Sequence, residues 1–320
     1  MQSPFFLTNV LKYKIGYYEF WMDESMKKLT ILLLALAMLT LCGCSQTASY
    51  SIVTTTLPVY ELTTNLCAGT DLTIGRLITE SVSCLHDYTL QVGQMRMIED
   101  ADVVILSGMG LEDFLEDALH GSNIVIDASK DTHTHSSSQT HAHTNHHEHD
   151  HEHVHETDPH IWLSPENAKI MAHNIAAELA TLYPEYQEVF LHNMGLLSQK
   201  LDDLQEYGTS QLAGLESRDM ITFHDGFAYF AESFDLHILE AIEEESGSEA
   251  SAAEIIHLVE LVEEYDLPAV FIEKNGSDAC ASVISAETGA EIYMLDMAMA
   301  GDSYFDAIYH NIDTIKEAMG

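Results

Sequence analysis

From Tyr50 onward the chain alternates short apolar runs with longer amphipathic stretches, the rhythm of βα units rather than of hairpins. Apolar runs at residues 51–55, 72–78, 102–106 and 123–126 predict strands. Between them, residues 57–69, 90–100 and 111–120 predict helices, the last stopped by Gly121. Pro165 and Glu166 open a further helix through Leu182. Pro184 starts a longer one over 185–215, in which Val189, Phe190, Met194, Leu197, Leu201 and Leu204 keep a helical spacing. A second series follows, with strands at 219–223, 237–241, 269–272 and 291–295, helices at 226–233, 251–265 and 278–288, and a closing helix from Ser303. The expected fold is α/β, two βα lobes that each hold a small parallel sheet flanked by helices. The lobes span 45–183 and 217–320 and are joined by one linking helix within 184–216. Two such lobes imply a cleft between them, and clefts at strand ends are where α/β proteins bind ligands.

Residues 131–158 break this pattern. Ten histidines, His133, His135, His141, His143, His146, His147, His149, His151, His153 and His155, are mixed there with Ser, Thr, Asp and Glu. Such a composition cannot pack a core and reads as a solvated loop rich in metal ligands. The chain as a whole is strongly acidic, with 12 Lys and Arg against 52 Asp and Glu and a formal charge of -40. That balance repels phosphate backbones and excludes nucleic acid as a partner, while cations are favoured.

The start of the chain carries a different signal. Met26-Lys27-Lys28 precedes the apolar run 29–41, which has the basic start and short hydrophobic stretch of an export signal. It ends in Leu41-Cys42-Gly43-Cys44, which resembles the lipobox of bacterial lipoproteins and would make Cys44 the lipidated first residue of the mature protein. A plain signal anchor is the alternative. Residues 1–25 then stand upstream of the signal, as expected of a misassigned start codon. The five cysteines form no paired C-x-x-C motifs, so neither a zinc ribbon nor a disulfide framework is indicated.

Most histidines outside the rich loop have plain explanations: His120 at a helix end, His237 in a strand, and His173, His192, His257 and His310 within helices. His86, His160 and His224 differ because each lies where strand or loop gives way to helix. Asp296 holds the equivalent place after the strand at 291–295. Side chains at such strand ends point into the crevice. Three imidazoles and a carboxylate make a four-coordinate N/O shell suited to zinc. Their wide separation in sequence leaves this grouping open on spacing alone.

Several segments add to this reading. Asp158-Pro159-His160-Ile161-Trp162-Leu163-Ser164-Pro165-Glu166-Asn167-Ala168 and Phe223-His224-Asp225-Gly226-Phe227-Ala228-Tyr229-Phe230 resemble the signature segments of the zinc and manganese solute-binding lipoproteins of ABC importers. So do Phe271-Ile272-Glu273, the Glu287-Thr288-Gly289-Ala290 turn leading to Leu295-Asp296, and Gly301-Asp302-Ser303-Tyr304. The resemblance implies that His86, His160, His224 and Asp296 are the metal ligands, the first two from the N-terminal lobe and the last two from the C-terminal lobe. It also implies that Glu273 supports the ligands from behind rather than joining them. Around His86 the family's usual prolines are missing, and Asn275 stands where relatives often have glutamine. Cys84 near His86 could add a thiolate, pair with Cys67, or do neither.

Within that family a histidine at the third ligand position accompanies zinc and a glutamate accompanies manganese, so His224 and the histidine-rich loop point to Zn2+ over Mn2+. The implied role is the extracytoplasmic component of a zinc importer. It would be lipid-anchored at the outer face of a bacterial membrane, monomeric, and partnered by an ABC permease. The alternatives are a manganese-binding component or a metal-binding surface adhesin of the same build. A zinc hydrolase would need an open coordination position, which a fourth ligand at Asp296 closes, so the chain is not expected to be an enzyme.

Overall fold

The computed structural model describes residues 28, 49–80, 85, 88–119, 123–134, 157–242, 250–274 and 276–320. The export signal other than Lys28, the proposed lipidation site Cys44, His86 and nine of the ten loop histidines lie outside them. The chain divides into Met1–Ala48 and Ser49–Gly320, and the second unit carries the α/β architecture.

The first sheet contains β1 (Ile52–Thr54), β2 (Ile74–Arg76), β3 (Val103–Leu106) and β4 (Ile124–Asp127) in the order β2-β1-β3-β4. The second contains β5 (Asp219–Thr222), β6 (His237–Ala241), β7 (Ala269–Glu273) and β8 (Glu291–Leu295) in the order β6-β5-β7-β8. Every pairing is parallel. Both sheets therefore reverse strand order at the same place, between their first and third strands, and such a switch opens a crevice at the strands' carboxyl ends. The central strands β1, β3 and β7 read as nearly unbroken apolar runs because both of their faces are covered.

The helices are α1 (Leu57–Leu66), α2 (Val92–Asp100), α3 (Pro165–Leu182), α4 (Gln187–Leu212), α5 (Ala228–Ser233), α6 (Ala252–Glu264), α7 (Ala279–Thr288) and α8 (Tyr304–Met319). Their ends follow local chemistry. Ser164 accepts from Asn167 N at the start of α3, with Pro165 in the first turn. Ser251 and Glu254 form a capping box on α6, and Gly289 ends α7 at φ 83°. The linking helix α4 runs 26 residues after a short 3-10 turn at Pro184–Tyr186. Its apolar stripe of Phe190, Met194, Leu197, Leu201 and Leu204 is buried.

One expectation fails. Residues 111–120 do not form a helix; the described part is turns around a 3-10 segment at Asp113–Leu115. The reason lies at Glu112, whose carboxylate is buried at the carboxyl ends of β1 and β3. There it accepts from Thr55 Oγ1 at 2.6 Å, Ser107 N at 2.7 Å and Gly108 N at 3.0 Å. Met109 also adopts φ 59°, between two glycines at φ 93° and 82°. Tertiary hydrogen bonding at this strand end overrides a helical spacing.

A single apolar core spans both sheets, from Ile52 and Val104 through Trp162 and Phe190 to Met220, Phe271 and Tyr304. A smaller cluster beneath α6 and α7 includes Ile221, Val262, Ile272 and Ile284. Several hydrogen bonds tie the segment after β8 to the N-terminal part, among them those from Ser303 Oγ and Tyr304 N to the Glu61 carboxylate. Leu57 N donates to Met299 O at 3.1 Å, Trp162 Nε1 to Met297 O at 2.8 Å, Tyr304 Oη to Trp162 O at 2.8 Å, and Arg76 to Gly301 O at 2.8 Å.

Candidate metal-binding site

His160 is presented by a loop that closes into the 3-10 turn Ile161–Leu163 just before α3. Asp158, two residues earlier, accepts from both the His160 backbone N at 2.9 Å and His160 Nδ1 at 2.8 Å through the same oxygen. A carboxylate accepting from Nδ1 places the proton there and leaves the Nε2 lone pair exposed. The side chain of Asp158 is only 3% exposed, and Tyr229 Oη donates to its backbone carbonyl at 2.9 Å. Its second oxygen, Oδ2, is buried without a hydrogen-bond partner among the described residues.

His224 follows β5, at the switch point of the second sheet. Its Nδ1 faces Glu273 Oε2 at 3.8 Å, and Glu273 is the last residue of β7, the neighbouring strand. Burial, and secondarily the charge of Asp296, push the Glu273 carboxyl up to about 8.

The two imidazoles meet edge to face with centroids 5.1 Å apart, and their Nε2 atoms are separated by 3.4 Å. Adjacent nitrogens on one tetrahedral zinc at ordinary bond lengths stand about 3.3 Å apart. The pair thus already has the spacing that two ligands of one small ion require. Gly226 makes this approach possible. A Cβ there would come within 2.8 Å of both His160 Nδ1 and His224 Cδ2, and within 2.6 Å of Met297 Cε.

Asp296 follows β8 and is held from several sides. Its backbone N donates to Asn311 Oδ1 and its carbonyl accepts from Asn311 Nδ2, both at 2.8 Å, while Oδ1 accepts from Ala298 N at 2.9 Å. Its Oδ2 is paired with Lys274 Nζ at 2.9 Å. Among the described residues, no three His, Cys, Asp or Glu side chains converge closely enough to hold a metal ion. The structure therefore brings together His160 and His224, with Glu273 behind His224 and the Asp296–Lys274 pair at the adjoining strand end.

His133, at the root of the histidine-rich segment, is described. Its backbone exchanges hydrogen bonds with the Asn167 side chain, N to Oδ1 at 2.8 Å and Nδ2 to O at 3.0 Å, and its Nε2 lies 3.6 Å from Glu166. His173, His192, His237, His257 and His310 are exposed, in keeping with their plain reading. Cys67 is a buried free thiol that burial pushes up to about 12, a poor ligand, and Cys84 lies outside the described residues.

Two participants were not singled out by sequence. Asp158 was visible as an acid two residues ahead of a candidate ligand, the spacing of a local Asx turn. Lys274 was visible as a cation directly after the fully buried strand β7.

Comparison with known proteins places the chain in a family and a fold. The family model described as "ZnuA: Zinc-uptake complex component A periplasmic" matches residues 52–318. A Treponema pallidum protein with a provisional metal-binding description is 27% identical over 281 residues, 86% of this chain and 88% of that one. The zinc-binding lipoprotein AdcA of Streptococcus pneumoniae is 28% identical over 307 residues, 91% of this chain but only 61% of its own length. The crystal structure of ZnuA superposes with a TM-score of 0.71 at 25% identity, covering 85% of this chain and all of that one. With the family model covering nearly all of the α/β body, this chain belongs to the ZnuA family of periplasmic zinc-uptake components, a family of solute-binding transport proteins rather than enzymes.

Proposed function

We propose that this protein captures zinc outside the cytoplasm and delivers it to an ABC permease, with His86, His160, His224 and Asp296 as the ligands of the cargo ion. The observation that carries this reading is the 3.4 Å approach of the His160 and His224 Nε2 atoms. Two nitrogen lone pairs at that distance repel one another unless a proton or a cation lies between them. Asp158 stands behind the His160 ring in the carboxylate–histidine–metal arrangement that raises ligand basicity, and Glu273 lies 3.8 Å from His224 Nδ1. Imidazole donors favour zinc over manganese, which prefers more oxygen. The pneumococcal relative is named a zinc-binding lipoprotein. On this reading the mature protein would sit at the outer face of the membrane on a lipid tether at Cys44, and the ten loop histidines, His133 included, would collect further zinc at lower affinity.

Elemental analysis with zinc and manganese titration of the protein from Ser45 onward tests the central claim. Wild type is expected to hold one tight zinc, and His224→Ala and His160→Ala to lose it. Equal tight-site content in all three would contradict the site. For the loop, deleting residues 133–155 is expected to lower total zinc stoichiometry while leaving the tight site intact.

A further inference from the structure

Among the described residues, Lys274 is a basic group drawn into the cluster of acids and imidazoles at the ends of β5, β7 and β8, and its placement is built rather than incidental. Its backbone N donates to Leu295 O at 2.8 Å, one step beyond the Glu273–Leu295 register pair, which fixes the residue directly beside Asp296. The Asp296 carboxylate cannot swing freely, because Oδ1 is held by Ala298 N and the backbone on both sides by Asn311. The oxygen left facing outward, Oδ2, carries the Lys274 ammonium at 2.9 Å.

We propose that Lys274 is an internal placeholder cation, occupying Asp296 Oδ2 in the metal-free protein and displaced when the cargo ion is captured. The inference rests on the reading of Asp296 as a ligand. The chemistry is an exchange of one cation for another on a single oxygen. An ammonium 57% exposed can withdraw into water on its flexible four-carbon stem at small cost, while the 15% exposed carboxylate stays in place. The placeholder keeps Asp296 neutralised between captures. Its displacement subtracts a fixed amount from metal affinity, so a captured ion is easier to release than the ligand set alone would allow.

The test is a double-mutant cycle on zinc affinity, read by chelator competition at fixed pH and ionic strength, with Lys274→Met, Asp296→Asn and the double variant. Lys274→Met is expected to tighten zinc roughly two- to fivefold, the scale of a partly exposed ion pair, and to have no such effect in the Asp296→Asn background. Lys274→Arg, which keeps the cation, is expected to stay within twofold of wild type. Unchanged affinity in Lys274→Met alongside weaker binding in Asp296→Asn would overturn the inference and leave the ligand reading standing. An equal gain in both backgrounds would also overturn it, by showing only a long-range charge effect. Unchanged affinity in Asp296→Asn would remove Asp296 from the ligand set, and the placeholder with it.

Discussion

Trp162 and Met297 are joined by a hydrogen bond from the indole Nε1 to the backbone carbonyl, 2.8 Å long and fully buried. Trp162 follows His160 by two residues and Met297 follows Asp296 by one, so this bond couples the two chain segments that frame the site. Tyr304 closes the other side by donating to the Trp162 carbonyl. Trp162→Phe keeps most of the apolar volume but leaves the Met297 carbonyl unpaired in the core. It should lower stability by about 1–2 kcal/mol. Urea denaturation of the metal-free protein measures this, and an unchanged midpoint would mean that the bond contributes nothing net.

Asp158 acts through His160. Replacing it with Asn keeps the volume but lets the amide offer a donor to Nδ1, which favours the tautomer with its proton on Nε2, the wrong nitrogen for a ligand. Zinc affinity should fall about 10–100-fold, the usual contribution of a partner behind a metal-bound histidine, while the fold is retained. Chelator competition reads the affinity and circular dichroism the fold. Affinity within twofold of wild type would show that the tautomer is set by something else.

Much of this was legible in the sequence. The strands were placed within two residues because short apolar runs mark them, unbroken in the central strands that are covered on both faces. His160 and His224 stood out because each sits where such a pattern changes. What could not be read was side-chain aim: that Glu112 would be drawn to the ends of β1 and β3 and unmake a helix, or that Lys274 would settle on Asp296. Both depend on strands distant in sequence becoming neighbours, and periodicity carries no information about that.

Gly226 sets the spacing of the two imidazoles by having no side chain. Gly226→Ala would press a methyl against His160 Nδ1, His224 Cδ2 and Met297 Cε, each at less than 3.0 Å. The φ at this position is not positive, so the backbone tolerates alanine and the cost falls on the rings. Zinc affinity should drop at least tenfold, against a stability loss of about 1–3 kcal/mol from overpacking. Isothermal titration beside thermal denaturation separates the two effects, and a stability loss with unchanged affinity would show that the rings can move together without penalty.

Glu112, buried at the carboxyl ends of β1 and β3, gives a prediction that can be read in the metal-free protein. Burial raises its carboxyl from 4.5 to about 7 even though Thr55, Gly108 and Ser107 all donate to it, with the nearby charge of Asp127 adding to the shift. A group whose folded value lies above its unfolded one contributes stability that is complete below the unfolded value and lost as pH rises through the folded one. The window is therefore about 4.5 to 7. Over it, wild type should lose up to roughly 3 kcal/mol relative to a variant that cannot titrate at this position. Glu112→Gln is that variant. Its amide oxygen can still accept from Thr55 and Ser107 while its NH2 faces the Gly108 N–H, so the variant is less stable in absolute terms, but it lacks the pH-dependent part. The stability difference between wild type and Glu112→Gln, from urea curves at several pH values, should be largest near the acid end and shrink toward pH 8. A difference that stays flat across that range would mean that Glu112 is ionised throughout, its three hydrogen bonds outweighing the cost of burying the charge.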